Sequence, residues 1–167
     1  MTRLAEGDPA PDFVLPTNDG EATLAAFRGR ALALYFYPKD DTSGCTRQAQ
    51  EFDALADAFR DAGCALLGVS PDTIKSHGRF KAKYGLSLPL AADADKQVLN
   101  AYGVWVEKSM YGRKYMGVER STFLIDRNGR IAKSWRKVKV SGHAAEVLAA
   151  ARAMAAADFA RNASAGA

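Results

Sequence analysis

With 167 residues, one compact domain is the default, and a hydrophobic share of 48% is enough to build its core. The formal charge of +4, from 23 basic and 19 acidic residues, is spread along the chain apart from a short cluster at Arg136-Lys137-Val138-Lys139, which argues against a nucleic-acid partner. No run is apolar enough to span a bilayer, the N-terminal residues lack the apolar core of a signal peptide, and two cysteines are too few for a disulfide scaffold. The expected setting is therefore a reducing cytoplasm, away from membranes, where a cysteine matters by reactivity or by packing.

In chain order, Ala10 to Leu15 reads as a short entry strand, and the turn signal Asn18-Asp19-Gly20 returns it through Glu21 to Leu24. Leu32 to Tyr37 is apolar on both faces, as in a central buried strand. Pro38 ends that strand, and a helix is expected from Thr46 to about Arg60, with Ala49, Phe52, Leu55, Ala56 and Phe59 on one stripe. Ala65 to Val69 is a second buried strand. Asp72 is placed to cap a helix over about Thr73 to Tyr84, whose inner side carries Ile74, His77, Phe80, Lys81 and Tyr84. Leu86 to Leu90 reads as loop or short strand, and Lys96 to Tyr102 as a brief helix. Residues 104–118 lack clean periodicity and read as a long loop or irregular ribbon. Thr122 to Ile125 and Ile131 to Trp135 flank a strong hairpin turn at Arg127-Asn128-Gly129-Arg130. A last helix starts near Ser141 or Gly142, and the chain after Phe159 is expected to fray. The order is that of an α/β thioredoxin-like fold with an N-terminal β-hairpin extension, one domain over residues 1–160 and a flexible tail over 161–167.

The chemistry concentrates in Tyr35-Phe-Tyr-Pro38-Lys-Asp-Asp-Thr42-Ser-Gly-Cys45-Thr46. A cysteine at a helix start is a candidate reactive thiolate, because unsatisfied N–H groups and the helix dipole favour negative charge there. The polar residues before it suggest a sulfur near solvent. Cys64 opens an apolar strand and reads as a small core residue. A helix of about 15 residues, roughly 22 Å long, separates it from Cys45, too far for a disulfide within one chain. His77 and His143 are the only histidines, and His143 reads as a cap or surface residue. With no Cys/His cluster and no Cys-x-x-Cys, neither a structural zinc nor a thioredoxin-type dithiol is expected.

The Pro-x-x-x-Thr-x-x-Cys segment, set between a strand and a helix, resembles the peroxidatic loop of the peroxiredoxins, closest to their bacterioferritin comigratory protein / peroxiredoxin Q branch. Glu119-Arg120-Ser-Thr-Phe-Leu-Ile-Asp126 resembles that family's segment holding an essential arginine before a strand. Gly7 to Phe13, Gly68 to Asp72, Leu88 to Asp93, Tyr102 to Trp105 with Glu107-Lys108, and Gly142-His143 also match. The resemblance implies a peroxiredoxin-type fold and a thiol-dependent peroxidase acting on hydrogen peroxide or organic hydroperoxides. Its site would be Cys45, Thr42, Arg120 and Pro38, and it would need no metal or other cofactor. Its reductant would be thioredoxin, glutaredoxin or a low-molecular-weight thiol, and the chain a monomer or weak homodimer.

Two departures stand out. Ser43 replaces the usual proline before Gly-Cys, and Gln50 and approximately Lys81 occupy the positions where relatives carry a resolving cysteine. A one-cysteine cycle is the expectation. The alternatives are a thiol-based peroxide sensor on the same fold and a non-catalytic binding module. The complete Pro38, Thr42, Cys45 and Arg120 set argues against the latter.

Overall fold

In the computed structural model, which describes residues 3–165, the central strand β3 (Ala31–Phe36) is buried along its whole length. Its alternation divides two cores: Ala31, Ala33, Tyr35 and Tyr37 face one, Leu32, Leu34 and Phe36 the other. Six more strands complete the sheet: β1 (Val14–Thr17), β2 (Gly20–Thr23), β4 (Cys64–Ser70), β5 (Leu90–Ala92), β8 (Ser121–Ile125) and β9 (Ile131–Trp135). Their order is β2-β1-β5-β4-β3-β8-β9, with β3, β4 and β5 parallel and the remaining pairs antiparallel. Helices α1 (Ser43–Ala54), α2 (Ala56–Asp61), α3 (Ile74–Tyr84) and α5 (His143–Ala165) pack on the first core, and α4 (Gln97–Ala101) on the second. This is the thioredoxin-like arrangement that the element order implies.

Several expectations are corrected. The entry strand begins at Val14 because Pro9 and Ala10 pair instead with the β8–β9 turn, at Arg130 and Gly129. The first long helix is two: Leu55 leaves helical geometry (φ −101°, ψ 7°), yet Phe52 and Phe59 on either side are both fully buried. Thr73, not Asp72, caps α3, its hydroxyl accepting from Ser76 N–H at 3.1 Å. Residues 104–118 are not irregular. They form a two-stranded antiparallel ribbon, β6 (Trp105–Met110) and β7 (Arg113–Val118). Its turn, Tyr111-Gly112, has positive φ at both residues (53° and 78°), the backbone of a two-residue hairpin. Tyrosine is an unusual residue there, and the strands' exposed faces lack apolar alternation, so neither signal was legible. Finally, α5 continues to Ala165, past the expected fraying point, in a run rich in alanine, the best helix former. Of the expected tail, 161–165 is thus helical; 166–167 lie outside the described residues.

Candidate active site

Cys45 is the third residue of α1, behind the N-cap Thr42. The first helical bond runs from Thr46 N–H to the Thr42 carbonyl at 2.8 Å, so the first-turn amides up to Cys45 N–H have no partner inside the helix. Pro38, half-buried, follows the last ladder bond of the strand, Tyr37 N–H to Val69 carbonyl at 3.0 Å, and can donate none itself. The Thr42 hydroxyl donates to the Lys39 carbonyl at 2.8 Å. Its single proton is therefore engaged, and its oxygen is free to accept. The polar flanks do not bring the sulfur to the surface: Cys45 is 2% exposed, a correction to the sequence reading. The amphipathic helix rolls it onto the floor made by Tyr35 and Tyr37. Tyr35 stacks on Phe52 at 4.6 Å and lies so close to β4 that a Cβ at Gly68 would come within 2.7 Å of its ring. Burial, reinforced by the negative charges of Cys45 and Asp40, raises the Tyr35 phenol far above its ordinary range and keeps it neutral.

Arg120 reaches the sulfur from 75 residues away. Phe36, at the end of β3, pairs with Ser121, at the start of β8, which sets the two loops side by side. Arg120 Nη2 donates to Cys45 Sγ at 3.3 Å, and Nη1 donates to Gln48 Oε1. The backbone is held on both sides, Glu119 N–H donating to Val104 at 2.7 Å and Val138 N–H to the Arg120 carbonyl at 3.0 Å. A Cβ at Gly44 would lie 3.4 Å from Nη2, so the guanidinium rests directly on the first turn of α1. Gln48 is 1% exposed and one turn beyond Cys45 on the same helix face. The spacing of three was readable in the sequence; the arginine it would meet was not. A second cation approaches from the ribbon. The Lys108 ammonium is disfavoured first by partial burial and then by Arg120, while Cys45 and Glu119 act in its favour. Glu107-Lys108 is among the segments that resemble the family, but the resemblance by itself gave that lysine no role.

Cys64 lies at the other end of the sheet. It pairs with Ala31, whereas the loop to Cys45 leaves from the Phe36–Val69 end. Five strand steps of about 3.3 Å make roughly 16 Å, against a limit near 7 Å between Cα atoms of a disulfide. Both thiols are free, and burial pushes the Cys64 thiol up to about 12, which leaves little thiolate at neutral pH.

His143 is not at the surface. It is 4% exposed, its Nε2 is 2.8 Å from Thr122 Oγ1, and its ring packs edge-on against Trp135 and Phe52. It braces α5 against β8, the strand that positions Arg120. Burial holds its pKa below 6.5, with a smaller contribution from Arg120. A histidine whose folded-state pKa is depressed binds fewer protons than in the unfolded chain, so its contribution is present above 6.5 and is lost as pH falls. The denaturation midpoint of the parent should drop between pH 7.5 and 5.5, and His143→Gln should lose part of that dependence. An identical pH slope in parent and variant would refute the assignment.

A model of the AhpC/TSA family matches residues 6–134. A putative peroxiredoxin, bcp, of Coxiella burnetii is 49% identical over 143 residues, covering 85% of this chain and 95% of the relative. Peroxiredoxin Bcp of Xanthomonas campestris is 48% identical over 150 residues, covering 88% and 94%. The solved structure of Xanthomonas campestris peroxiredoxin Q superimposes with a TM-score of 0.82 at 48% identity, covering 86% of this chain and 91% of that one. A structure of the bacterioferritin comigratory protein from the same organism, described in terms of its alkyl peroxide reduction activity, gives 0.82 at 47% identity, covering 86% and 92%.

Proposed function

This chain belongs to the AhpC/TSA family, in its bacterioferritin comigratory protein / peroxiredoxin Q branch, and from that premise we propose how its site carries out the reaction. The protein is a thiol-dependent peroxidase. The Cys45 thiolate attacks one oxygen of a hydroperoxide; the S–O bond forms as the O–O bond breaks, and the departing hydroxide or alkoxide takes a proton to leave as water or alcohol. Two equivalents of an outside thiol then reduce the sulfenic acid, releasing water and a disulfide.

The observation that carries the assignment is the Arg120 guanidinium 3.3 Å from a sulfur at a helix N-terminus. In this reading Arg120 favours the thiolate and stabilises charge on the breaking O–O bond. The Cys45 N–H donates to the same oxygens, and Thr42 Oγ accepts a hydrogen bond from the peroxide O–H. Pro38 fixes where the strand stops and the loop begins. Peroxide is small and needs little room, in keeping with a nearly buried sulfur.

The resolving step is assigned to an external thiol, thioredoxin, glutaredoxin or a small thiol, because Cys64 is remote and poorly ionised. The setting is read as cytoplasmic; among the described residues no helix is long and apolar enough to cross a membrane. Mass spectrometry after one equivalent of peroxide should find one oxygen on Cys45, or a mixed disulfide when a trapping thiol is present. Thiol-supported turnover of Cys64→Ala should stay within about twofold of the parent, since losing one buried sulfur costs packing rather than chemistry. A Cys45–Cys64 peptide formed at the turnover rate would overturn the one-cysteine cycle. Sustained turnover separates the enzyme from a peroxide sensor, which would be oxidised once and stop.

A further inference from the structure

The loop from Pro38 to Thr42 has little regular structure of its own, yet it must hold Thr42 and the first turn of α1 in fixed relation to an incoming peroxide. Its shape comes from α3. The Asp40 side chain, 3% exposed, accepts from Tyr37 O–H at 2.6 Å and from Ser76 Oγ at 2.8 Å, and its Oδ2 lies 2.7 Å from His77 Nδ1. Its backbone N–H donates to Asp72 Oδ2 at 2.8 Å, and Ser70 Oγ donates to the same oxygen at 2.7 Å. The His77 ring has no exposed surface, and its Nε2 faces the Ala91 carbonyl of β5 at 2.9 Å. A carbonyl oxygen only accepts, so Nε2 carries a proton, and Nδ1 on the other side of the ring faces the Asp40 carboxyl. The Tyr37 phenol, raised by burial, stays a neutral donor.

The next residue repeats the device at the surface. Asp41 takes a positive φ of 57° and accepts from Lys83 Nζ at 2.8 Å and Tyr84 O–H at 2.6 Å. Lys83 and Tyr84 lie seven residues beyond Ser76 and His77, two helical turns along the same face. Two successive aspartates of the loop are thus pinned to one face of α3, the first of them out of water.

We propose that His77 is a positioning residue for peroxide reduction: by bridging Asp40 to the β5 carbonyl it fixes the loop that presents Thr42 and Cys45 to the hydroperoxide. A buried pair that only stabilised the fold could sit anywhere in the core. This one ends on the middle residue of the three between Pro38 and Thr42, five positions before the reactive sulfur. The inference rests on the peroxidase reading and adds to it a residue that touches neither peroxide nor sulfur. Small displacements of a reacting group cost rate steeply, whereas alkylation by iodoacetamide needs the thiolate but none of the loop's alignment.

The test is the rate of Cys45 oxidation by hydrogen peroxide, followed in stopped flow, against the rate of alkylation by iodoacetamide at the same pH. In His77→Ala the peroxide rate should fall about tenfold or more. In Ser76→Ala, which removes one of the two hydroxyl donors to Asp40 and leaves the ring in place, it should fall by about two- to threefold. The alkylation rate should hold or rise in both. Peroxide rates equal to the parent's, or peroxide and alkylation rates falling together, would overturn the proposal. If His77→Ala does not fold, Ser76→Ala decides alone by the same split. A parent Cys45 that peroxide fails to oxidise would instead defeat the peroxidase reading.

Discussion

Cys45→Ser should abolish peroxide consumption. The fold has every reason to survive the change, since a smaller oxygen replaces one sulfur at a site 2% exposed, with Arg120 able to donate to either atom. The chemistry does not survive it. An alcohol has no appreciable anion at neutral pH, and nothing in the site is arranged as the general base a serine would need: Arg120 is a cation, the Tyr35 phenol is held neutral by burial, and His143 bonds to Thr122. The measurement is thiol-dependent disappearance of hydrogen peroxide and of an organic hydroperoxide, with near-UV circular dichroism to show the variant folded. Activity above a few per cent of the parent's, in protein free of contaminating peroxidase, would mean that Cys45 is not the nucleophile. Cys64 could not account for it, being remote and protonated.

The second large effect is expected at Arg120. Arg120→Ala should slow oxidation of Cys45 by peroxide about 10²-fold or more, the usual cost of removing a donor aimed at developing negative charge. Two consequences separate this from general damage. First, iodoacetamide should also react more slowly at neutral pH, because the guanidinium at 3.3 Å favours the thiolate; this contrasts with the loop variants, in which alkylation is spared. Second, Arg120→Lys should recover only part of the rate. A lysine keeps the charge but not the planar fork, and here the fork spans two partners, Nη2 to Cys45 and Nη1 to Gln48. Equal peroxide rates in Arg120→Ala and the parent would remove the guanidinium from the mechanism. Full recovery by lysine would reduce its role to charge alone.

The buried sulfur also bears on how the reductant gains access. Hydrogen peroxide can approach a nearly covered atom; a protein thiol needs the first turn of α1 to present it. The contacts that hold this turn are few and specific: Arg120 against Gly44 and Gln48 on one side, and the aspartate-pinned loop on the other. The same groups that align the first half-reaction thus oppose access in the second.

What the sequence by itself determined is local. The all-apolar run Leu32 to Tyr37 fixed a strand buried on both faces, Pro38 stopped it, and the polar loop with Cys45 at a helix start was legible from a dozen consecutive residues. The Asn128-Gly129 hairpin and the remoteness of Cys64 from Cys45 followed from turn chemistry and from the length of a helix. Thr42 and Arg120 became candidates by resemblance alone, since a lone threonine in a loop and an arginine before a strand say nothing by themselves. The tertiary structure decided the rest. It buried Cys45, because amphipathic stripes specify a face but not how far the first turn rolls under its neighbours. It joined Arg120 to Cys45 and Gln48 across 75 and 72 residues, and His77 to Asp40 across 37. It placed His143 under Trp135 rather than in water, and made a regular ribbon of 105–118 around a tyrosine with positive φ. Periodicity and turn preferences act over one or two turns of chain. Burial and the pairing of polar groups are set by which strands lie side by side, and in this sheet the neighbours β3 and β8 are separated by about half of the chain.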